Sequence, residues 1–204
     1  MQINKDDPRI KIITDWLGTG AINVFGVPLA GKDTQCELLS ELLGSVTFGG
    51  GDILRNGKTS DALQTDINSG KLAPTDEYLS LILPYFSRDE FTGKSLVLSS
   101  IGRWSGEETV VIDAANKSGH PIKASILLEL TPEEAHARLE DAQRDRDDDA
   151  AHILEVRFTE FEQKTRPVLT TYAHQDLLIS VDGNQPVEAV TEAIVEGLLQ
   201  KAQA

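Results

Sequence analysis

One stretch near the start of the chain constrains the fold most, because a strand, a glycine-bounded turn and a helix follow one another directly. The run AINVF (21–25) is typical of a buried strand, and TQCELLSELLG (34–44) of a helix that ends at a glycine. Between them stand Gly26, four residues, and then Gly31 and Lys32. This spacing predicts a loop whose backbone N–H groups and lysine bind phosphate. The alternative is an ordinary strand-to-helix connection with a solvated lysine.

The rest of the chain alternates short apolar runs with segments of helical length. Such alternation predicts parallel strands joined by right-handed crossovers, with helices on both faces of the sheet. We therefore expect a single α/β domain with a five-stranded parallel sheet and a ligand site beyond the carboxyl ends of the strands. The other predicted strands are SVTF (45–48), SLVLS (95–99), ASILLEL (124–130) and LLISV (177–181).

Three helical segments lie outside the loop region. The pattern of residues 1–19 predicts an additional N-terminal helix, with Asp7 as its N-cap, Pro8 in its first turn and Gly18 at its end. A long helical region is predicted at 132–173, and a terminal helix at 186–201.

The charge of the chain limits its partners. The 204 residues carry a formal net charge of −14, which argues against broad contact with nucleic acid or anionic membranes. No apolar run reaches the roughly 18 residues of a membrane span, the start lacks a secretory signal, and the single cysteine, Cys36, cannot form an internal disulfide. We expect a cytoplasmic monomer. Such an acidic protein must gather its few cations at one point to hold an anionic ligand.

The loop GVPLAGKDTQ (26–35) resembles the phosphate-binding loop of adenylate kinases and related nucleoside monophosphate kinases. Five further blocks resemble segments of that family in the same order. The resemblance implies a P-loop NTPase-type three-layer fold, a helical insertion at 49–78 for the acceptor monophosphate, and a reduced lid at 139–147. The blocks are GGGDILRNG (49–57), SGKLAPTDEYLSLI (69–82), SSIGRWSGEE (99–108), RDRDDDAAHILEVRFTEFEQKTRPVLTTY (144–172) and VDGNQPVEAV (181–190).

The resemblance also implies a reaction, transfer of the γ-phosphoryl group of MgATP to a nucleoside monophosphate, and a set of site residues. The implied catalytic residues are Lys32, Arg103, Arg146 and Arg157. The implied ATP-binding residues are Leu29, Ala30, Gly31, Lys32, Asp33, Thr34, Arg138 and Gln185. The implied acceptor-binding residues are Gly50, Arg55, Lys71, Leu72, Ala73, Gly102, Arg103, Glu107, Arg146 and Arg157. Arginine suits these roles because its planar fork grips phosphate oxygens and stays ionised.

The chain departs from the family pattern at several positions. Leu29 and Asp33 replace glycines of the loop, and Gly50 stands for a threonine near the acceptor base. Ser99 replaces an aspartate that holds magnesium through water in the family. We hypothesise that the carboxylate has moved, so that Asp33 faces Mg²⁺ through water. The alternative is that Asp33 caps the N-terminus of its helix.

A further departure, Glu107, concerns the acceptor base. Glu107 stands for a glutamine that reads adenine, and an ionised glutamate can only accept hydrogen bonds, which suits the N1–H and N2–H₂ groups of guanine better. Alternatively, Glu107 turns to solvent and the backbone reads the base. AMP is the acceptor that the resemblance implies, with GMP or CMP open.

The lid is unusually short. Seven residues, LEDAQRD, separate Arg138 from Arg146, and they contain no cysteine or histidine cluster, so we expect no zinc. A lid of this size should exclude water poorly, which predicts slower transfer or detectable ATP hydrolysis. The rival to a kinase is a nucleotide-binding module that has lost turnover.

Overall fold

The computed structural model describes residues 3–56, 61–141 and 151–204. The strands of this part of the chain are β1 (Ala21–Gly26), β2 (Val46–Gly49), β3 (Leu96–Ser99), β4 (Ile122–Glu129) and β5 (Leu178–Asp182). They form one sheet in the order β2-β3-β1-β4-β5, with every pairing parallel. The predicted five-stranded parallel α/β fold is confirmed.

The α-helices of the same residues surround this sheet. They are α1 (Pro8–Leu17), α2 (Lys32–Leu43), α3 (Gly50–Asn56), α4 (Asp61–Asn68), α5 (Thr75–Ile82), α6 (Glu107–Lys117), α7 (Pro132–Asp141), α8 (Ala151–Glu160), α9 (Arg166–His174) and α10 (Val187–Gln203). A π-helical turn at Phe161–Thr165 joins α8 to α9. None of the described helices is long and apolar enough to cross a membrane.

Helices cover both faces of the sheet. Every residue of β1 and β3 is buried, which requires cover on each side. On one side α1, α2 and α10 contact one another. A second pair, α6 and α9, is joined by a hydrogen bond of 3.1 Å from Thr171 Oγ1 to Glu108 Oε1, and Tyr172 of α9 packs on Phe25 with ring centroids 5.8 Å apart. These two groups form the outer layers.

The N-terminal helix completes one of these layers. Asp7 caps α1 by accepting from the backbone N–H of Arg9 at 2.9 Å, and the helix buries Ile10, Ile13 and Leu17. The guanidinium group of Arg9 pairs with Glu192 and Glu196 of α10. Residues that the family resemblance left unexplained therefore hold the terminal helix against the core.

The strand order fixes where a ligand can bind. Strands β1 and β3 are neighbours in the sheet. After β1 the chain runs to β2, which lies beyond β3, whereas after β3 it runs to β4, which lies beyond β1. Connections that diverge in this way open a crevice at the carboxyl ends of the two strands. The segments after Gly26 and Ser99 both start at this crevice.

A buried amide ties the crevice to the core. Asn23, fully buried in the middle of β1, donates from Nδ2 to the carbonyl of Ile101 at 2.8 Å and accepts from the Ile101 N–H at 3.2 Å. Ile101 follows β3 in the loop that carries Arg103. Because a buried polar group is stable only when paired, this bond pair fixes the start of that loop.

Replacement of Asn23 by alanine should lower the free energy of unfolding by about 2–4 kcal/mol, because two buried backbone groups of Ile101 lose their partner. Ser125 provides a matched control: it pairs with Asn23 in register on β4, is fully buried, and its hydroxyl has no hydrogen-bond partner among the described residues. Ser125→Ala should leave stability unchanged or raise it. Urea denaturation measures both, and equal losses would contradict this account.

Candidate active site

The loop after β1 has the geometry that binds phosphate. Gly31 is the N-cap of α2 and has φ 86°, a left-handed conformation that glycine adopts without strain. Leu29 also has a positive φ, 64°. A left-handed conformation costs a residue with a side chain about 1–2 kcal/mol, so Leu29 is held under strain. Its carbonyl accepts a hydrogen bond of 3.2 Å from Arg138 Nη1.

Three cations converge on this loop. Lys32 donates from Nζ to the carbonyl of Val27 at 3.0 Å, and Lys32, Arg103 and Arg157 all line one cleft. Burial, followed by the neighbouring charges of Arg103 and Arg157, lowers the pKa of Lys32 to about 7, although Asp33 acts in the opposite direction. The predicted gathering of positive charge in an acidic protein is present at the end of β1.

Asp33 lies beside Ser99 at the crevice. Its carboxylate oxygen Oδ1 accepts from Ser99 Oγ at 3.2 Å, and both residues line the cleft. Asp33 is exposed and sits in the first turn of α2, where a carboxylate is favoured by the helix dipole. Among the described residues its hydrogen-bond partner is the serine at the end of β3, across the crevice.

One side of the cleft is built around Tyr78. Its hydroxyl accepts from the backbone N–H of Gly102 at 3.1 Å, and burial raises its pKa to about 12, so the phenol stays neutral. A Cβ added at Gly50 would lie 2.7 Å from this hydroxyl. Gly50 therefore leaves the space that the Tyr78 hydroxyl occupies.

Glu107 fixes the position of Arg103 in the loop after β3. Arg103 Nε donates to the Ser100 carbonyl at 3.1 Å, and the backbone N–H groups of Arg103 and Trp104 donate to Glu107 Oε2 at 2.8 and 3.1 Å. Ser100 has a left-handed φ of 52°, which turns the chain at this point. The carboxylate thus acts as a cap that fixes the direction of the arginine.

Glu107 itself faces the cleft from a buried position. It is 1% exposed, so the alternative that it turns to solvent is wrong. Burial raises its pKa, while the N–H groups of Trp104 and Arg103 and the nearby Thr75 lower it less. Its second oxygen, Oε1, and the indole Nε1 of Trp104 have no partner at hydrogen-bond distance among the described residues. One buried acceptor and one buried donor in the residues that line the cleft are therefore without a partner among the described residues.

Helix α8 and the π-helical turn form another wall of the same cleft. Glu160 accepts from the backbone N–H of Leu72 at 3.0 Å and from Lys164 Nζ at 2.6 Å, and Lys164 lies 4.1 Å from the ring centroid of Trp104. Arg157 stands one turn before Glu160 on the same helix. This chain of contacts joins the Leu72 segment, α8 and the loop after β3.

A second cleft adjoins the loop on the side of β5. Arg138 donates from Nη2 to the carbonyl of Gly183 at 2.7 Å and from Nε to Glu134 at 3.0 Å, so its planar face is left for stacking on a ring. Gln185 donates to Asp182 Oδ2 at 3.0 Å, and this bond, with those from Asn184, lowers the pKa of Asp182. The cleft is lined by Leu29, Ala30, Gly31, Thr34, Gln35, Arg138, Gly183, Gln185, Pro186, Val187 and Val190.

The structure thus brings most of the predicted residues together. Lys71, Leu72 and Ala73 line the main cleft. Gly50 and Gly102 instead lie next to the Tyr78 hydroxyl. Two predicted arginines lie outside the description: Arg146 with residues 142–150 of the predicted lid, and Arg55 in its side chain, although its backbone belongs to α3. Sequence reasoning missed lining residues inside the blocks it recognised, namely Tyr78, Trp104, Glu160, Phe161 and Thr165.

Known proteins match the chain over most of its length. A family model described as an AAA domain matches residues 25–155. An adenylate kinase of Agrobacterium fabrum is 29% identical over 196 residues, which cover 88% of this chain and 97% of that protein. An adenylate kinase of Synechococcus sp. is 29% identical over 86% of this chain and 96% of its own length. UMP-CMP kinase 1 of Oryza sativa subsp. japonica is 27% identical over 84% of this chain and 70% of its own length.

The contact between Gly50 and Tyr78 can be tested by a double-mutant cycle. Gly50→Ala should lower the free energy of unfolding by about 1–3 kcal/mol, because the added Cβ would press on the tyrosine hydroxyl. In a Tyr78→Phe background the same change should cost less, since the hydroxyl is gone. Equal losses in the two backgrounds, measured by urea denaturation, would show that Tyr78 does not occupy the space.

Proposed function

The chain belongs to the AAA domain family, and we propose that it is a nucleoside monophosphate kinase that transfers the γ-phosphoryl group of MgATP to a nucleoside monophosphate. The observation that carries the proposal is the convergence of Lys32, Arg103 and Arg157 on one cleft of a protein with net charge −14. Cations grouped at one point repel one another, so their convergence indicates an anionic ligand.

The cationic groups match the needs of phosphoryl transfer. The transition state spreads negative charge over three equatorial oxygens and requires positioned cations rather than covalent catalysis. We assign Lys32 to the transferring group, and Arg103 and Arg157 to the developing charge. Arg146 belongs to the same proposed set, and Arg55 is assigned with Arg103 to the acceptor phosphate.

We assign the donor base and the acceptor nucleotide to different clefts. In the proposal the donor phosphates lie on Gly31 to Thr34 at the positive end of α2, and the donor base lies in the second cleft between Arg138 and Gln185. The acceptor lies in the main cleft beside Leu72 and Tyr78. This arrangement directs the two phosphate groups toward Lys32 from opposite sides.

AMP is the proposed acceptor, in line with the names of the adenylate kinases that resemble the chain. A second candidate, GMP or CMP, is favoured by Glu107. Its Oε1 is buried and lacks a partner among the described residues, and an ionised carboxylate accepts N–H groups without being able to donate. The unpartnered Nε1–H of Trp104 supplies a donor on the same wall of the cleft.

The kinase proposal is tested by a coupled assay with ATP, Mg²⁺ and AMP. Lys32→Met should lower kcat by about 10²–10³ because a charge placed for the transition state is lost. Lys11→Met is the matched control, since Lys11 is exposed on α1 and pairs with Asp15 on the same helix at 2.8 Å. Loss of activity in both variants would contradict the assignment of Lys32. An unaltered protein that binds a bisubstrate analogue without turnover would instead be a nucleotide-binding module.

Glu107→Gln tests the reading of the acceptor base. A glutamine amide can both accept and donate, so the ratio of kcat/KM for AMP to that for GMP should rise by about tenfold in the variant. The measurement is a panel of AMP, GMP, CMP and UMP with both proteins. An unchanged ratio would mean that Glu107 serves only as the cap of the Arg103 loop.

A further inference from the structure

We propose that Asp33 and Ser99 together form the protein's part of the magnesium site for the donor phosphates, with the carboxylate supplied by the loop and the hydroxyl by the end of β3. This inference rests on the proposed kinase function and deepens it. Bound Mg²⁺ would supply charge neutralisation at the phosphate oxygens.

The position of Asp33 in the loop is the first argument. In phosphate-binding loops the residue directly after the lysine directs its side chain to the Mg²⁺ ion, and a serine or threonine hydroxyl normally fills this position. Here the residue after Lys32 is a carboxylate, exposed toward the cleft at the start of α2. The loop therefore presents a stronger ligand for a hard cation at the usual metal-facing position.

Charge balance is the second argument. A carboxylate beside the donor phosphates repels them if nothing lies between. A divalent cation between the carboxylate and the phosphates would attract both groups and so offset the repulsion between them. An acidic residue is thus compatible with this loop when the nucleotide arrives with its metal ion.

The hydrogen bond between the two side chains is the third argument. Ser99 Oγ lies 3.2 Å from Asp33 Oδ1, so a residue at the end of β3 and a residue in the first turn of α2 meet at the crevice. The serine donates to one carboxylate oxygen, which orients the group and leaves Oδ2 to accept from a metal-bound water. Interactions that orient a ligand group in this way are a regular part of metal sites.

The donor set fits magnesium rather than a metal held by protein groups alone. The described residues contain no group of three or more histidine, cysteine or acidic side chains positioned around a metal ion. Mg²⁺ keeps several waters and binds through one or two carboxylates together with substrate phosphates. One carboxylate with an orienting hydroxyl meets this requirement once ATP is bound.

The test compares the affinity for ATP with and without Mg²⁺ by titration calorimetry. In the unaltered protein Mg²⁺ should tighten ATP binding by about tenfold or more. In Asp33→Asn that ratio should fall close to one, and metal-free ATP should bind more tightly than before, because the repulsion is removed. Glu37→Gln is the matched control: Glu37 is exposed one turn later on α2, loses the same charge, and should keep the original ratio.

A relocation variant completes the test. Asp33→Gly alone should lose the Mg²⁺ dependence, and the double variant Asp33→Gly with Ser99→Asp should regain it, because the carboxylate returns to the strand end across the same 3.2 Å contact. An unchanged Mg²⁺ ratio in Asp33→Asn, or a double variant no better than Asp33→Gly, would overturn the inference. Failure of the unaltered protein to bind ATP under either condition would overturn the proposed function instead.

Discussion

Lys32, Arg103 and Arg157 repel one another at the carboxyl end of β1, and the surrounding loops must hold them together against that repulsion. The lowered pKa of Lys32 expresses the conflict, since burial and two neighbouring cations disfavour its charged form. The rest of the molecule is strongly acidic, so this point is the exception in its charge distribution. A bound polyanion would relieve the repulsion that the fold maintains.

Buried polar residues fix the loop that carries Arg103, one of these cations. Asn23 interrupts an otherwise apolar strand in order to pair both backbone groups of Ile101, and Glu107 then holds the backbone of Arg103 and Trp104. Ser100 accepts a left-handed conformation between them. Strain and buried polar groups are concentrated at this loop, as they are at sites where geometry matters more than stability.

The sequence predicted the fold well because its signals were local. Apolar runs marked each strand, and Asp7, Pro8 and Gly18 marked both ends of the first helix as the structure has them. The approach of Lys32 and Arg103 follows from strand order, which brings the segments after β1 and β3 to one edge of the sheet, whereas the place of Arg157 was implied only by the family resemblance.

Other features depend on contacts between distant residues, which no local pattern encodes. The space at position 50 is taken by Tyr78, twenty-eight positions later in the chain. The sequence could show that Asp33 and Ser99 each depart from a pattern, but not that their side chains meet. The reduced lid and the role of Arg146 stay predictions, since residues 142–150 lie outside the description.

The bond between Glu160 and the backbone of Leu72 has a mechanical consequence. Leu72 belongs to the segment that precedes α5, whereas Glu160 shares α8 with Arg157, so the two walls of the cleft are fastened to each other by one carboxylate. Any ligand that pushes the Leu72 segment outward must either break this fastening or drag α8 along. The position of the helix that carries Arg157 is therefore tied to the Leu72 segment by one hydrogen bond.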